Sequence, residues 1–161
     1  MQIYNWAKEN LKPEDGGWLA GLMAGEGCFF MRIQSRLSWW SASAQLMIKL
    51  RADDRGALKE VKRLWQIDTR IRLRAQKGKC DMVDLTIAKI GILRNRIIPT
   101  FRLYPLRAKK HRDFEIWAEA VEIIYQKNIT KVKQFKSWEK ERLEEIEAEL
   151  KAVREFIEPS G

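Results

Sequence analysis

A single carboxylate between two glycines is the residue best suited to do chemistry. Glu26 follows a segment of apolar and very small residues, 18–25, whose pattern predicts a helix. The C-terminal end of a helix carries partial negative charge and free carbonyl groups, so a carboxylate there is unfavourable unless a cation is bound. Glu26 and the backbone carbonyl of Gly25 would supply hard oxygen ligands, which suit Mg²⁺ or Mn²⁺. The alternative is a solvated acid in a turn.

The predicted helix has a strip of small residues along one side. Ala20 and Ala24 lie one turn apart, as do Gly21 and Gly25, so another backbone could approach closely. Each glycine inside a helix costs about 1 kcal/mol relative to alanine, which indicates that something does approach. That neighbour is either another element of the same chain or a second copy. A symmetric dimer would pair two acids at one site, with an interface formed by Trp18, Ala20, Gly21, Ala24 and Gly25.

Hydrophobic periodicity predicts the elements that position Glu26. The first helix is capped at Asp15 or Gly16 and ends at Gly25 and Gly27, where the helical period changes to a strand's alternation. Two strands are predicted on either side of a turn at 37–40. A second helix is capped by Asp53 or Asp54, and a second hairpin turns at 77–79.

Three further helices are predicted after the second hairpin. A short helix covers 89–98 and ends before Pro99, a longer one follows Pro105, and the last runs from about Thr130 to Ile157. The inner face of the last helix carries Leu143, Ile146, Leu150, Val153 and Ile157. Because the α-β-β unit occurs twice, the predicted fold is α+β, αββαββα, with a four-stranded antiparallel sheet backed by helices. We expect one domain over 1–161, with its core at 14–127 and a C-terminal helix within 128–161.

One face of the predicted sheet is polar and basic. The alternation places arginine, glutamine, lysine and serine side chains together, and arginine and glutamine can pair bidentately with guanine and adenine edges. A two-stranded ribbon also fits the major groove. The alternative is a solvated face with solubility charges, although such faces normally mix both signs. The predicted DNA contacts are Arg32, Gln34, Arg36, Ser43, Gln45, Lys49, Arg70, Arg72, Arg74, Gln76, Lys77 and Lys79.

The distribution of charge favours a polyanionic partner. The net charge is +9, and residues 1–127 hold 24 Lys/Arg against 14 Asp/Glu, whereas residues 128–161 hold 7 against 8. Two segments, 28–52 and 69–80, contain basic residues and no acid. Nucleic acid is therefore the leading candidate. No apolar run reaches the roughly 20 residues of a membrane span, and no secretory signal is evident. We expect a cytoplasmic or organellar (chloroplast or mitochondrial) matrix location.

Few residues are available for other chemistries. Cys28, Cys80 and the single histidine, His111, cannot form a closed zinc site. Two reduced cysteines are favoured over a disulfide, because the protein is expected inside the cell. With one histidine, a Ser-His-acid or Cys-His catalytic arrangement is not expected.

The segment 19–27 reads LAGLMAGEG and closely resembles the signature of the LAGLIDADG homing endonucleases. The resemblance extends through the αββαββα order to the segment YPLRAKK at 104–110. One copy of the signature is present, as in the homodimeric members. The resemblance implies a saddle-like sheet and Mg²⁺-dependent cleavage of both strands of a long, near-palindromic DNA target. Two positions depart from the pattern: Ala24 replaces a frequent aspartate, and Leu50 stands near a position that is polar in some members.

The resemblance also implies roles for individual residues. Glu26 matches the metal-binding acid and Gly25 the residue that lends its carbonyl, while a basic residue near 110 assists the active centre. Lys110 is the first choice and Lys109 the second. Two other functions remain open: a maturase that binds intron RNA on the same scaffold, and a DNA-binding regulator without catalytic activity. The presence of Glu26 favours the nuclease, because a splicing factor has no need of that acid.

Overall fold

The chain folds into one four-stranded sheet with helices packed on one of its faces. The computed structural model describes residues 5–130 and 134–155. Residues Leu93–Ile97 form a π-helical turn. The α+β class and the order of the strands and their intervening helices are as predicted. The elements are α1 (Trp6–Asn10), α2 (Pro13–Glu26), β1 (Gly27–Arg36), β2 (Trp39–Arg51), α3 (Arg55–Trp65), β3 (Ile71–Arg74), β4 (Met82–Ile87), α4 (Ile90–Ile92), α5 (Ile98–Leu103), α6 (Ala108–Thr130) and α7 (Ser137–Glu155).

The sheet is antiparallel throughout, with the strand order β1-β2-β4-β3. Its apolar face packs on the helices around a group of aromatic rings. Phe29 lies at the centre of this group, with ring centroids 4.8 Å from Trp117, 5.7 Å from Phe114 and 6.1 Å from Phe101. The indole N–H of Trp117 donates to the carbonyl of Gln45 at 3.1 Å and so attaches α6 to β2. The opposite face of the sheet is left open.

Helix α2 begins earlier than its sequence suggests. Pro13 is its first residue, a position where the missing N–H and the fixed φ of proline are favourable, so neither Asp15 nor Gly16 is the cap. Gly16 lies instead inside the helix and packs against Tyr104. An added Cβ would lie 2.2 Å from the tyrosine ring, so only glycine fits there. The prediction of a helix that ends beside Glu26 is correct, and α2 ends at that residue.

Two other local predictions are corrected, and α1 is an additional helix that the sequence pattern does not predict. Asp54, one of the two predicted caps, stands at the N-cap position of α3, although its side chain makes no capping hydrogen bond. The turn between β1 and β2 is shorter than predicted, since β2 already begins at Trp39. The helical segment also continues through Pro99. The preceding π-helical turn bonds the Ile98 N–H to the Leu93 carbonyl, and Pro99 falls in the first turn of α5, where an N–H is not required.

The last helix, α7, packs against β1 and α6. It starts at Ser137 rather than at Thr130, which is the last residue of α6. Leu143, Ile146 and Leu150 are buried as predicted, whereas the side chain of Val153 and the whole of Ile157 lie outside the described residues.

Two contacts in the middle part of α7 hold it against β1 and α6. Glu147 accepts a hydrogen bond from the backbone N–H of Ile33 at 2.6 Å, on the free edge of β1. Arg142 donates to Glu119 on α6 at 2.7 Å. Cys28, which is half-buried, and Cys80, which is exposed, are thiols rather than partners in a disulfide. None of the helices in the described ranges combines the length and hydropathy that a membrane crossing requires.

Candidate active site and nucleic-acid interface

The junction of α2 and β1 holds Glu26 at the boundary between helix and sheet. Glu26 is the last residue of α2, and its side chain is exposed. β1 begins at Gly27, where an added Cβ would lie 2.1 Å from the sulfur and 2.7 Å from the carbonyl oxygen of Met23. The φ of Gly27 is −88°, which any residue adopts, so glycine is needed here for space and not for conformation. The close approach of Gly27 to Met23 therefore restricts the backbone at the residue that follows Glu26.

Lys110 reaches the same junction from α6. Its Nζ donates a hydrogen bond to the carbonyl of Gly27 at 2.6 Å, and its side chain is half-buried. The structure therefore brings the first-choice lysine to the residue next to Glu26, and its neighbour Lys109 is exposed. Helix α6 starts at Ala108 with a left-handed φ of 52°, an uncommon conformation for a residue with a Cβ. The side chain of His111, the next residue on α6, has its Nε2 3.8 Å from the carboxylate of Glu115.

The strip of small residues on α2 is open. No described atom lies within 4 Å of a Cβ built at Gly21 or Gly25, so packing within the chain does not account for these glycines. Ala24 is exposed and Ala20 half-buried, and the side chain of Trp18 at the start of the strip is 39% exposed. A groove of about 400 Å³ runs beside the strip, with its other wall formed by Leu103, Tyr104, Pro105, Leu106 and Arg107.

One chain supplies too few ligands to enclose a metal ion. The parts of the chain that the structure describes contain no group of three or more His, Cys, Asp or Glu residues in a position to bind one. Glu26 and the Gly25 carbonyl are hard oxygen donors at the negative end of a helix, which fits a small divalent cation. A complete site therefore needs ligands from outside the chain: a second copy, DNA or water.

The strand register places eight of the twelve predicted DNA contacts on the open face. Directly opposed residues project from the same side, and Arg32 is opposite Ser43 on β2, while Arg72 is opposite Asp84 on β4. The eight are Arg32, Gln34, Arg36, Ser43, Gln45, Lys49, Arg72 and Arg74. The other four lie outside the strands, with Arg70 just before β3, and Gln76, Lys77 and Lys79 in the connection to β4, where Gly78 has a φ of +74°.

The open face also carries residues that the predicted contact set omits. Trp39 is opposite Arg36 at the tip of the β1–β2 hairpin, and the Arg36 guanidinium lies 5.7 Å from the centre of its ring. Asp84 is only 2% exposed and pairs with Arg74 at 2.6 Å. Alternation along β4 places Asp84 on this face, but burial of its carboxylate depends on contacts between strands that no sequence pattern reveals.

The carboxylates with shifted pKa values lie on helices. A hydrogen bond from Arg142 lowers the pKa of Glu119, and one from Arg94 lowers the pKa of Glu122, in both cases against the opposing effect of partial burial. These pairs join α7 and the π-helical turn to α6. Their charges contribute to the packing of the helical elements against one another.

A saddle of four antiparallel strands, with an acid at the end of a glycine-rich helix, defines an α+β domain with a basic open face. A family model described as LAGLIDADG endonuclease matches residues 19–121. The chain belongs to the LAGLIDADG endonuclease family. A comparison with curated protein sequences found no match.

Solved structures share the fold. I-SmaMI bound to cleaved DNA is 19% identical with a TM-score of 0.70, over 94% of this chain and 51% of its own. I-LtrWI bound to target DNA is 23% identical with a TM-score of 0.63, over 71% of this chain and 39% of its own. I-TnaI is 20% identical with a TM-score of 0.64, over 92% of this chain and 99% of its own. The chain thus spans about half or less of the length of I-SmaMI and I-LtrWI and nearly the full length of I-TnaI.

Proposed function

We propose that this protein is a site-specific, metal-dependent DNA endonuclease that acts as a homodimer on a long, near-palindromic target. The observation that carries the proposal is the exposed Glu26 at the end of a helix whose Gly21 and Gly25 have no described atom within 4 Å of an added Cβ. Membership of the LAGLIDADG endonuclease family supports a nuclease. I-SmaMI and I-LtrWI were each solved with DNA, which supports duplex DNA as the substrate.

The open strip supports the homodimer. Two copies of α2 packed along Gly21 and Gly25 would bury exposed small residues and the groove beside them, in an isologous contact. The partially exposed Trp18 and Leu103, which flank this surface, would be covered by the same contact. The chain covers 51% of I-SmaMI, so that two copies would match its length. Such a dimer brings two Glu26 residues together, one for each DNA strand.

The residues that would hold the metal are Glu26 and Gly25, through its carbonyl, from each copy. A bound divalent cation, Mg²⁺ or Mn²⁺, would polarise the scissile phosphate and neutralise charge on the leaving oxygen. I-SmaMI was solved with uncleaved DNA in the presence of calcium ions, which supports a divalent cation at such a site. The ammonium group of Lys110, held beside Glu26 by the Gly27 carbonyl, would stabilise negative charge on the phosphate, with Lys109 as the second choice.

The dimensions of the open face support a long target. β1 has 10 residues, and at about 3.3 Å per residue it spans roughly 30 Å. That distance corresponds to about nine base pairs of duplex DNA at 3.4 Å each. A dimer with two such faces would contact two half-sites related by its twofold axis, so that the target would be close to palindromic.

The decisive test is a comparison of Glu26→Gln with the wild-type protein on a target selected from a random DNA library. The amide keeps the size of the side chain but lacks the charge that a cation needs, so cleavage should fall by at least a thousandfold while binding changes by less than about threefold. Glu14→Gln is the matched control, because Glu14 is an exposed acid on the same helix, in its first turn.

Full cleavage by Glu26→Gln at saturating Mg²⁺ would contradict the assignment of this residue. A wild-type protein that binds duplex DNA selectively but cuts none of it would instead point to the regulator without catalytic activity. Preference for its intron RNA over duplex DNA in a gel-shift comparison would point to the maturase.

A further inference from the structure

A buried acid lies among the basic residues of the open face. Asp84, in the middle of β4, is 2% exposed, and Thr86 donates a hydrogen bond to its Oδ1 at 3.1 Å. Arg74 donates from Nε to Oδ2 at 2.6 Å, and the Nε of Arg72 lies 3.8 Å from Oδ1. Lys49 stands directly opposite Asp84 on β2. One carboxylate is therefore shared by two arginines from β3, with a lysine on the other side.

The pairing leaves the outer edge of each guanidinium available. Both arginines face Asp84 through Nε, and their side chains are half exposed, at 52% for Arg72 and 51% for Arg74. A guanidinium held at Nε still has the N–H groups of its two terminal nitrogens, which form the fork that pairs with O6 and N7 of guanine. A long side chain loses rotamer freedom when it binds, and an arginine already fixed by a buried acid loses less.

Asp84 does not serve merely to neutralise the basic charge of the open face. Three cations surround a single anion, so the face remains strongly basic around Asp84. A buried carboxylate also requires desolvation, which is tolerated because Thr86 and Arg74 supply hydrogen bonds. The arrangement orients the arginines and keeps the attraction for phosphate.

We propose that Asp84 is a positioning residue that orients Arg74 and Arg72 to read guanine in the major groove of each half-site. The inference rests on the proposed function, since it needs duplex DNA on the open face. Asp84 does not contact the DNA itself. It acts on specificity through the arginines, at the one or two base pairs of each half-site that they face.

The test measures binding to every single-base-pair variant of the selected target for wild type, Asp84→Asn and Arg74→Lys. Asparagine preserves the shape and the acceptor for Thr86 but lacks the charge that fixes the guanidinium, and lysine cannot form the fork. We expect the preference for guanine to fall about tenfold at the same one or two base pairs in both variants, with other positions and the salt slope unchanged. Asp68→Asn is the control, since Asp68 is exposed and 3.9 Å from Lys89, away from the open face.

Three results would overturn the inference. The first is an unchanged profile in Asp84→Asn at every position. The second is a uniform loss at all positions together with a lower melting temperature, which would assign Asp84 to folding alone. The third is a loss in Arg74→Lys at base pairs that Asp84→Asn leaves intact. A wild-type protein without sequence-selective binding to duplex DNA would overturn the proposed function as well, which distinguishes the two failures.

Discussion

Alanine at Gly21 should change the stability of the monomer and of the dimer in opposite directions. A methyl group at this position has no described atom within 4 Å, so the isolated chain accepts it without a clash. Alanine is more favourable than glycine inside a helix by about 0.8–1.0 kcal/mol. The 161 residues imply an unfolding entropy of roughly 340 cal/mol/K, from about 2.1 cal/mol/K per residue. The melting temperature of the monomer should therefore rise by about 3 °C.

The same methyl group should weaken association, because each copy would bring one into the proposed contact between the two α2 helices. The distance between packed helices is set by the side chains at their contact, and here those are glycine and alanine. We expect the dissociation constant of the dimer to rise at least tenfold in Gly21→Ala. In the double variant Gly21→Ala, Gly25→Ala we expect a larger rise. Sedimentation equilibrium, with and without the target duplex, measures the stoichiometry, and thermal melts at low protein concentration measure the monomer.

Gly56→Ala provides the matched control. Gly56 lies in α3, with the same open space around an added Cβ, so it should give a similar gain in melting temperature with no change in association. The reasoning would be refuted by a Gly21→Ala protein that is more stable and dimerises as tightly as the wild type. It would equally be refuted by a wild-type protein that binds its duplex as a monomer.

Two further predictions concern stability. Gly27→Ala should destabilise the fold by about 1–3 kcal/mol, because the methyl group would overlap the sulfur and the carbonyl oxygen of Met23. Urea unfolding measures this loss. An unchanged urea midpoint would show that the junction of α2 and β1 accommodates the methyl group. Below pH about 4.5 the attachment of α7 should weaken. The hydrogen bond from Arg142 lowers the pKa of Glu119 in the folded protein below its unfolded value. The stability that this ion pair contributes is therefore present above the unfolded pKa and is lost as the pH falls through the folded pKa. Glu119→Gln should make unfolding less dependent on acid pH over this range, and an identical pH profile in the two proteins would contradict that role.

Much of the fold could be predicted because local and long-range preferences agree. Along β1 and β2, apolar residues alternate with polar ones, and this single pattern predicts the strands and the face that each residue occupies, so that Arg32 and Ser43 share one side. The helix that ends at Glu26 was predicted from its apolar and small residues and from the glycines near its end, although Gly21 and the terminal acid are each locally unfavourable. The side on which the arginines lie was predictable from the same alternation.

Other features depend on contacts between distant residues. The π-helical turn before Pro99 is stabilised by Arg94, which donates to Glu122 on α6 at 2.7 Å, a partner 28 residues away. Similarly, the bond from Lys110 to the Gly27 carbonyl joins residues 83 positions apart. A segment such as YPLRAKK indicates that a lysine is near the centre but not which one reaches it. The buried state of Asp84 belongs to the same class, because it depends on two arginines from a neighbouring strand.

The contact between Glu147 and the Ile33 N–H protects one edge of the sheet against aggregation. A sheet with one face open to solvent has two outer strands, and unpaired backbone groups on such strands tend to recruit other chains into aggregates. α7 covers one outer strand, β1, and supplies an acceptor to its backbone. The other outer strand, β3, is only four residues long and carries two arginines, which repel a like strand. The face of the sheet opposite the helices can thus stay open to solvent without self-association through the edges of the sheet.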